Sequence, residues 1–423
     1  MSPDQAFARI RRYNGRLNAF VRVFDEALGD GAGPTFAIKD LFDVKGVPTG
    51  GGAQVPLAEN PPLNAEVVKR LLDAGWRAVG KTHTVELAYG GWGTNRAVGA
   101  PWNPWDAKVQ RAPGGSSSGS AVAVAAGLVD AALGSDTGGS VRIPSGVCGV
   151  VGLKPGRGLV SLKGVHPLSP SLDTVGALAR DVATAAKMLA VISGPDGAAA
   201  EREPFDAEAA FAMDVAGSKL AAIALDHLGE VDEEVGRLYL AALDKLRKAG
   251  ITVQMVRPPK SMEESFATNG FLMSGEGWRV WRERIEKHHA VMDPWIVRRF
   301  DAGREITDER LAEVHAQRAR DQAQFHDWIA AYDGLLTPTC PIPAPPMDTI
   351  DETTSPLSRL TRAANYLDLP GISVPMGLTK EGLPAGLQIV GRPRDEAMVV
   401  ALGAAFEAVS GWNGKSPDLS GFE

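Results

Sequence analysis

Two glycine–serine stretches carry the residue types that acyl transfer needs. The first is Gly114-Gly115-Ser116-Ser117-Ser118-Gly119-Ser120. The second is Gly134-Ser135-Asp136-Thr137-Gly138-Gly139-Ser140, continuing into Val141-Arg142-Ile143-Pro144. A serine behind two glycines can sit on a sharp turn, with its hydroxyl exposed and backbone N–H groups gathered around it to receive an oxyanion. The same composition also suits a pair of flexible turns. A phosphate cradle is disfavoured because no G-x-x-x-x-G-K-[ST] pattern is present. A serine nucleophile needs a base. Of the seven histidines, His83 and His166 lie nearest these stretches, and the other five fall in charged or linker segments. Lysine can also serve, provided burial disfavours its charged form. Lys39 ends the apolar run FAIKD and Lys154 sits in GLKPG, both unusual places for a charge. A strand-end lysine also commonly snorkels to solvent. Residue types alone leave all four bases open.

These groups need elements to hold them. FAIKD reads as a strand from Phe36 to Asp40, followed by a glycine-rich turn from Thr49 to Gly52. Apolar spacing predicts a first helix from Ser2 to Tyr13, stopped by Asn14-Gly15. Asn64 suits the N-cap of a helix carrying Val67, Val68, Leu71 and Leu72, ended by Gly75. A short strand, RAVG, follows. Small residues give a helix from Ser120 to Ala126 and a strand from Ala131 to Leu133. Further on come strands at Leu220 to Leu225 and Ile251 to Val256, and a helix between them from Val231 to Ala249. A long charged helix runs from Thr307 to Tyr332. The strand LLTP, a proline-rich loop, a strand from Leu387 to Val390 and a closing helix from Asp395 complete the chain. Alternating strands and helices imply α/β architecture.

The chain has 423 residues and a formal net charge of -7, which argues against nucleic acid as a partner because phosphate binding wants a basic face. Two cysteines far apart do not make a disulfide framework and fit a reducing, cytoplasmic setting. No apolar run approaches the roughly 20 residues that span a bilayer, and the N-terminus lacks the apolar core of a signal peptide. No His/Cys/Asp/Glu grouping has metal spacing, so no metal and no cofactor are implied. Asp136 and Arg142 flank Ser140 and are expected to brace its turn as an ion pair.

The blocks PGGSSSGSAVAVAAG and LGSDTGGSVRIPSGVCGVVGLKP resemble the signature of the amidase signature family. FAIKDLFDVKGVPTGGG is similar to its lysine-bearing block, GKTHTVELAYG with NPW to the segment between, and PGISVPMG with EGLPAGLQIVG to its C-terminal strands. The resemblance is dense from about Asn18 to Val191 and from about Leu335 onward, and thin between Gly194 and Asp333. It implies a single α/β domain, residues 1–423, with a central mixed, twisted sheet surrounded by helices. Residues 1–193 would form the catalytic half, 194–208 a surface linker, and 209–423 the second half, shaping the acyl pocket. The implied activity is hydrolysis of a carbon–nitrogen amide bond by a Ser-Ser-Lys triad through an acyl-enzyme. Ser140 would be the nucleophile, Ser116 the bridging serine, held in the family in a cis peptide with the residue before it, and Lys39 the base. The N–H groups of Thr137, Gly138, Gly139 and Ser140 would form the oxyanion hole. Ser118 stands where glycine is commoner. Tyr89 and Trp92 fall in a segment that lines the acyl pocket in relatives. With the Pro338 to Pro346 loop, they suggest a preference for aromatic or apolar acyl groups over charged ones. A small-molecule amide, no nucleic acid, no membrane and a possible homodimer are the expected partners. The alternative is the amidase subunit of a multi-protein assembly, such as a tRNA-dependent amidotransferase. Net acidity and the short middle region count against it.

Overall fold

Short segments rich in β-branched and small residues, buried on both faces in the central strands, build one large sheet. In the computed structural model, which describes residues 1–198 and 200–423, its strands are β1 (Phe20–Leu28), β2 (Thr35–Lys39), β3 (Arg77–Thr82), β4 (Ala131–Asp136), β5 (Val151–Lys154), β6 (Thr174–Ala179), β7 (Lys219–Ile223), β8 (Thr252–Val256), β9 (Gly334–Pro338), β10 (Gly371–Leu378) and β11 (Pro384–Val390). The spatial order is β1-β3-β2-β4-β6-β5-β10-β11-β9-β7-β8. β3, β2 and β4 run parallel, as do β9, β7 and β8, while the pairings between β4 and β9 are antiparallel. The expected single α/β domain with a mixed sheet and covering helices is what the chain forms.

The sheet separates two apolar layers. Phe36, Ile38, Ala131, Leu133, Ala177 and Ala179 pack into one layer, which includes the helix Val182–Ile192. The intervening Ala37, Ala132 and Leu178 pack into the other, with the helices Ser118–Ala125 and Arg142–Cys148. Side chains alternate along a strand, so Lys39 shares the face of Ala37 while Asp40 turns to the other. That places Lys39 beside the two helices that follow the glycine–serine turns. The small residues of Ser118–Ala125 are all buried, which lets this helix lie close against β4.

Several local expectations are corrected. The first helix runs Pro3–Leu17, straight through Asn14-Gly15, because Ile10, Tyr13 and Leu17 continue its buried face. Asn64 does not cap the helix Glu66–Asp73: Ala65 holds the N-cap position, and the Asn64 side chain accepts a bond from the Lys45 amide at 2.8 Å. The 27-residue helix Met262–His288 lies in the stretch thin in motifs and supplies much of the cavity wall described below. In the expected linker 194–208, residue 199 lies outside the described residues. Around it, the Arg70 guanidinium donates to the carbonyls of Ser193, Gly194 and Pro195, and Arg202 pairs with Glu396.

Candidate active site

Lys39 is the last residue of β2 and is fully buried. Its Nζ donates to Ser116 Oγ at 2.8 Å and to Ser135 Oγ at 2.8 Å. No carboxylate forms an ion pair with it among the described residues. Burial lowers its pKa from 10.5 to about 7, against the pull of the more distant Asp136 and Asp173. Asp40, next in sequence, pairs instead with Lys81 at 2.7 Å. Ser116 is fully buried, and its peptide bond with Gly115 is cis. Ser135 lies on β4, parallel to β2, and the pairing of Ile38 with Leu133 brings it to the end of the lysine.

Ser140 lies on the loop after β4 and is 8% exposed, opening onto a cavity of about 840 Å³ that Thr137, Gly138, Tyr89, Met273 and Arg362 also line. Its hydroxyl makes no hydrogen bond to Ser116 in this arrangement; the two turns are tied by the Ser117 amide donating to the Ser140 carbonyl at 3.2 Å. Of the four N–H groups expected around an oxyanion, those of Thr137, Gly138 and Ser140 have no acceptor among the described residues. The Gly139 N–H is committed elsewhere, donating to Asp136 Oδ1 at 2.8 Å. Gly139 has φ +128, and a Cβ there would fall 2.1 Å from Thr361 Oγ1, so glycine is required.

A buried network fixes this loop. Arg142 pairs with Asp136 at 2.9 Å, both fully buried, so the expected brace is present. Arg142 also donates to the Thr361 carbonyl at 2.8 Å, Gln388 Oε1 at 2.7 Å and Asn365 Oδ1 at 2.6 Å. Burial alone would raise the Asp136 pKa, but Arg142, Lys154 and the backbone donors overcome it and hold the carboxyl below its usual range. Thr137 Oγ1 donates to Asp173 at 2.6 Å, and burial pushes Asp173 up to about 6. Arg142→Leu is expected to destabilise the fold by about 3–5 kcal/mol, since it leaves a buried carboxylate without its cation. A urea midpoint equal to wild type would refute this.

The other candidate bases lie elsewhere. Lys154 donates to the Pro155 carbonyl at 2.7 Å, and burial lowers it to about 8. His83 bonds Asn18 at 3.0 Å and is lowered by burial to about 4. His166 bonds Asp43 at 3.0 Å. Neither imidazole hydrogen-bonds a serine of the two turns. Tyr89 lines the cavity and its hydroxyl bonds Ser274 at 2.7 Å. Trp92 does not line it: it is buried, with its indole N–H donating to the Thr354 carbonyl at 3.1 Å. Ser118 Oγ is buried and has no partner among the described residues. Both cysteines are buried and free. No metal-holding group of His, Cys, Asp or Glu occurs among the described residues. Sequence reasoning missed Ser135, Asp173 and Arg362. Only Ser135 had a signal, its place inside the second serine motif.

The family model described as Amidase matches residues 4–400. A glutamyl-tRNA(Gln) amidotransferase subunit of Chloroflexus aggregans is 32% identical, over 99% of this chain and 90% of its own. The solved subunit of the same name from Thermotoga maritima superposes with a TM-score of 0.88 at 32% identity, covering 99% of this chain and 94% of its own. A peptide amidase from Stenotrophomonas maltophilia gives 0.84 at 26% identity, covering 99% and 94%. These relatives overturn the expected partners, a small-molecule amide and no nucleic acid, beside a possible homodimer. Proteins alike over nearly the whole length are named as one subunit of an enzyme of glutamyl-tRNA. Net charge is a poor guide here because the acidity of one subunit does not constrain what a multi-subunit enzyme binds. No helix among the described residues is long and apolar enough to cross a membrane. From residue 4 to residue 400, with a mixed sheet shared with solved amidases, the chain belongs to the amidase family and is an amidase, a hydrolase of carbon–nitrogen bonds.

Proposed function

We propose that Ser140 attacks the amide carbon, with Ser116 relaying protons to and from Lys39. The observation that carries this is the fully buried Lys39 amine, 2.8 Å from Ser116 Oγ and held at about 7 by desolvation. A neutral amine has two N–H donors and one lone pair. Donating to Ser135 would leave the lone pair free to take the Ser116 proton as Ser116 takes that of Ser140. The tetrahedral oxyanion is received by the N–H groups of Thr137, Gly138 and Ser140, each worth about 3 kcal/mol in comparable sites. The lysine proton returns through Ser116 to the leaving nitrogen, which departs as ammonia or an amine. Water then releases the acyl-enzyme by the same relay. Two free cysteines support a reducing, cytoplasmic setting for this chemistry.

A serine-directed phosphonate tests the assignment. Mass mapping should find the adduct on Ser140, and an amide panel with ammonia and amine detection should show turnover that the adduct blocks. Labelling of another serine, with activity surviving, rejects it. A second reading is that the chain works as the amide-hydrolysing subunit of a glutamyl-tRNA amidotransferase assembly. Coverage of 99% of this chain and 90% of one such relative supports it. Co-purification of further chains from the native host tests it. A monomer active alone, with no companion chain, counts against it.

A further inference from the structure

Arg362 has no part in the proton relay, yet it stands on the cavity that exposes Ser140. It follows Thr361, whose hydroxyl donates to the Gly138 carbonyl at 2.8 Å. The Arg362 stem packs against the same loop, with Cγ 3.2 Å from where a Cβ on Gly138 would sit. Its guanidinium is held by neutral groups only: Nε donates to Ser358 Oγ at 3.1 Å, Nη1 donates to the Phe266 carbonyl at 3.3 Å, and the group lies 4.0 Å above the Phe266 ring. Nη2 has no acceptor, and no carboxylate comes within ion-pair distance, among the described residues. The neighbouring Arg299 differs: it is committed to Glu352 at 2.6 Å and to the Tyr89 carbonyl at 2.9 Å. Glu263, another residue of the cavity wall, is exposed and favours the Arg362 charge only from beyond ion-pair distance.

A cation fixed in a cavity without a counterion is costly unless a ligand supplies one. Desolvation lowers Arg362 to about 10, so it remains charged at neutral pH. The fork of a guanidinium matches the two oxygens of a carboxylate, and such bonds are about twice as strong as neutral ones. A purely structural duty, tying the helix Met262–His288 to the loop through the Phe266 carbonyl, would use only one edge of the group. We propose that Arg362 is a specificity-determining residue that binds a carboxylate on the substrate, so that preferred amides carry an anionic group beside the scissile bond. This reverses the preference for apolar acyl groups that Tyr89 and Trp92 suggested. It rests on the reading that Ser140 is the nucleophile of this cavity.

The test compares kcat/KM for matched amides. Succinamate against butyramide places the carboxylate on the acyl side, and butyrylglycine against N-propylbutyramide places it on the leaving side. Wild type is expected to favour one carboxylate member by about 10- to 100-fold, the range for a bond to a charged group. Arg362→Gln should erase that advantage while still turning over the neutral amide, and Arg362→Lys should keep part of it. A second readout needs no turnover: succinate should slow phosphonate labelling of Ser140 in wild type and not in Arg362→Gln. No carboxylate preference in wild type, a preference that survives Arg362→Gln, an equal loss on charged and neutral amides, or no protection by succinate overturns the proposal. Labelled Ser140 with neutral amides hydrolysed and no carboxylate preference fails this inference alone. An unlabelled Ser140 with no amide hydrolysed fails the underlying reading as well.

Discussion

Ser140→Ala should lose turnover by about 10⁶-fold while the protein folds as before, as removal of a serine nucleophile does in comparable relays. The hydroxyl makes no structural hydrogen bond, and its place is the cavity wall. Its loss therefore empties no packed volume and orphans no donor. Ammonia or amine release measures the first part, and a thermal melt within a degree or two of wild type measures the second. Activity near wild type would reject the nucleophile. A collapsed melting temperature would mean that Ser140 supports the loop as well as the chemistry.

Lys39 variants should be nearly as damaging, for a different reason. The amine serves as base only when deprotonated, so kcat/KM should rise about tenfold per pH unit below pH 7 and level off above it, following the group held at about 7. A lysine left at its ordinary pKa near 10.4 would still be rising at pH 9. Lys39→Ala should cost at least about 10²–10⁴-fold, the range for one general base. Lys39→Arg should fail too, because a guanidinium cannot deprotonate in this range. His83→Ala and His166→Ala serve as controls expected to keep the profile, since these rings bond Asn18 and Asp43 rather than a serine. If Lys39→Arg keeps near-normal turnover while one histidine variant is dead, a histidine relay replaces this one.

What was legible in the sequence follows from how local each signal is. The FAIKD strand, the small-residue helix (expected from Ser120 to Ala126, found at Ser118–Ala125) and the Asp136–Arg142 brace all rest on neighbouring residues, and all are present in the fold. The helix Met262–His288 carries an equally local signal: Ser261 and Glu264 form a capping box, an S-x-x-E pattern in a stretch that no family motif marks. Ser135 showed only as a member of the second serine motif, and Arg362 not at all. Their roles depend on β4 lying parallel beside β2, and on the loop after Ser355 folding across to Gly138. Neither pairing leaves a periodic trace. Gly139 shows the opposite limit. Its glycine was legible, but not that its N–H would be spent on Asp136. Trp92 shows the same limit, an aromatic in a pocket-lining segment that the chain turns inward to Thr354.

The Arg142 brace also sets a timetable. Its acceptors beyond Asp136 come from Thr361, Asn365 and Gln388, which lie 219, 223 and 246 positions away. A chain emerging from the ribosome holds Lys39, Ser116 and Ser140 long before those partners exist, and contacts of such separation form late. Until then Arg142 lacks its bonds to Thr361, Asn365 and Gln388, and the loop that carries Ser140 is held by its local bonds to Asp136. The three side chains of the proposed relay are thus carried through most of synthesis without the full brace. Amidase activity is therefore expected to arrive only with the final third of the polypeptide, and a product cut before Thr361 is expected to hydrolyse amides poorly. The catalyst is in this sense its own quality control.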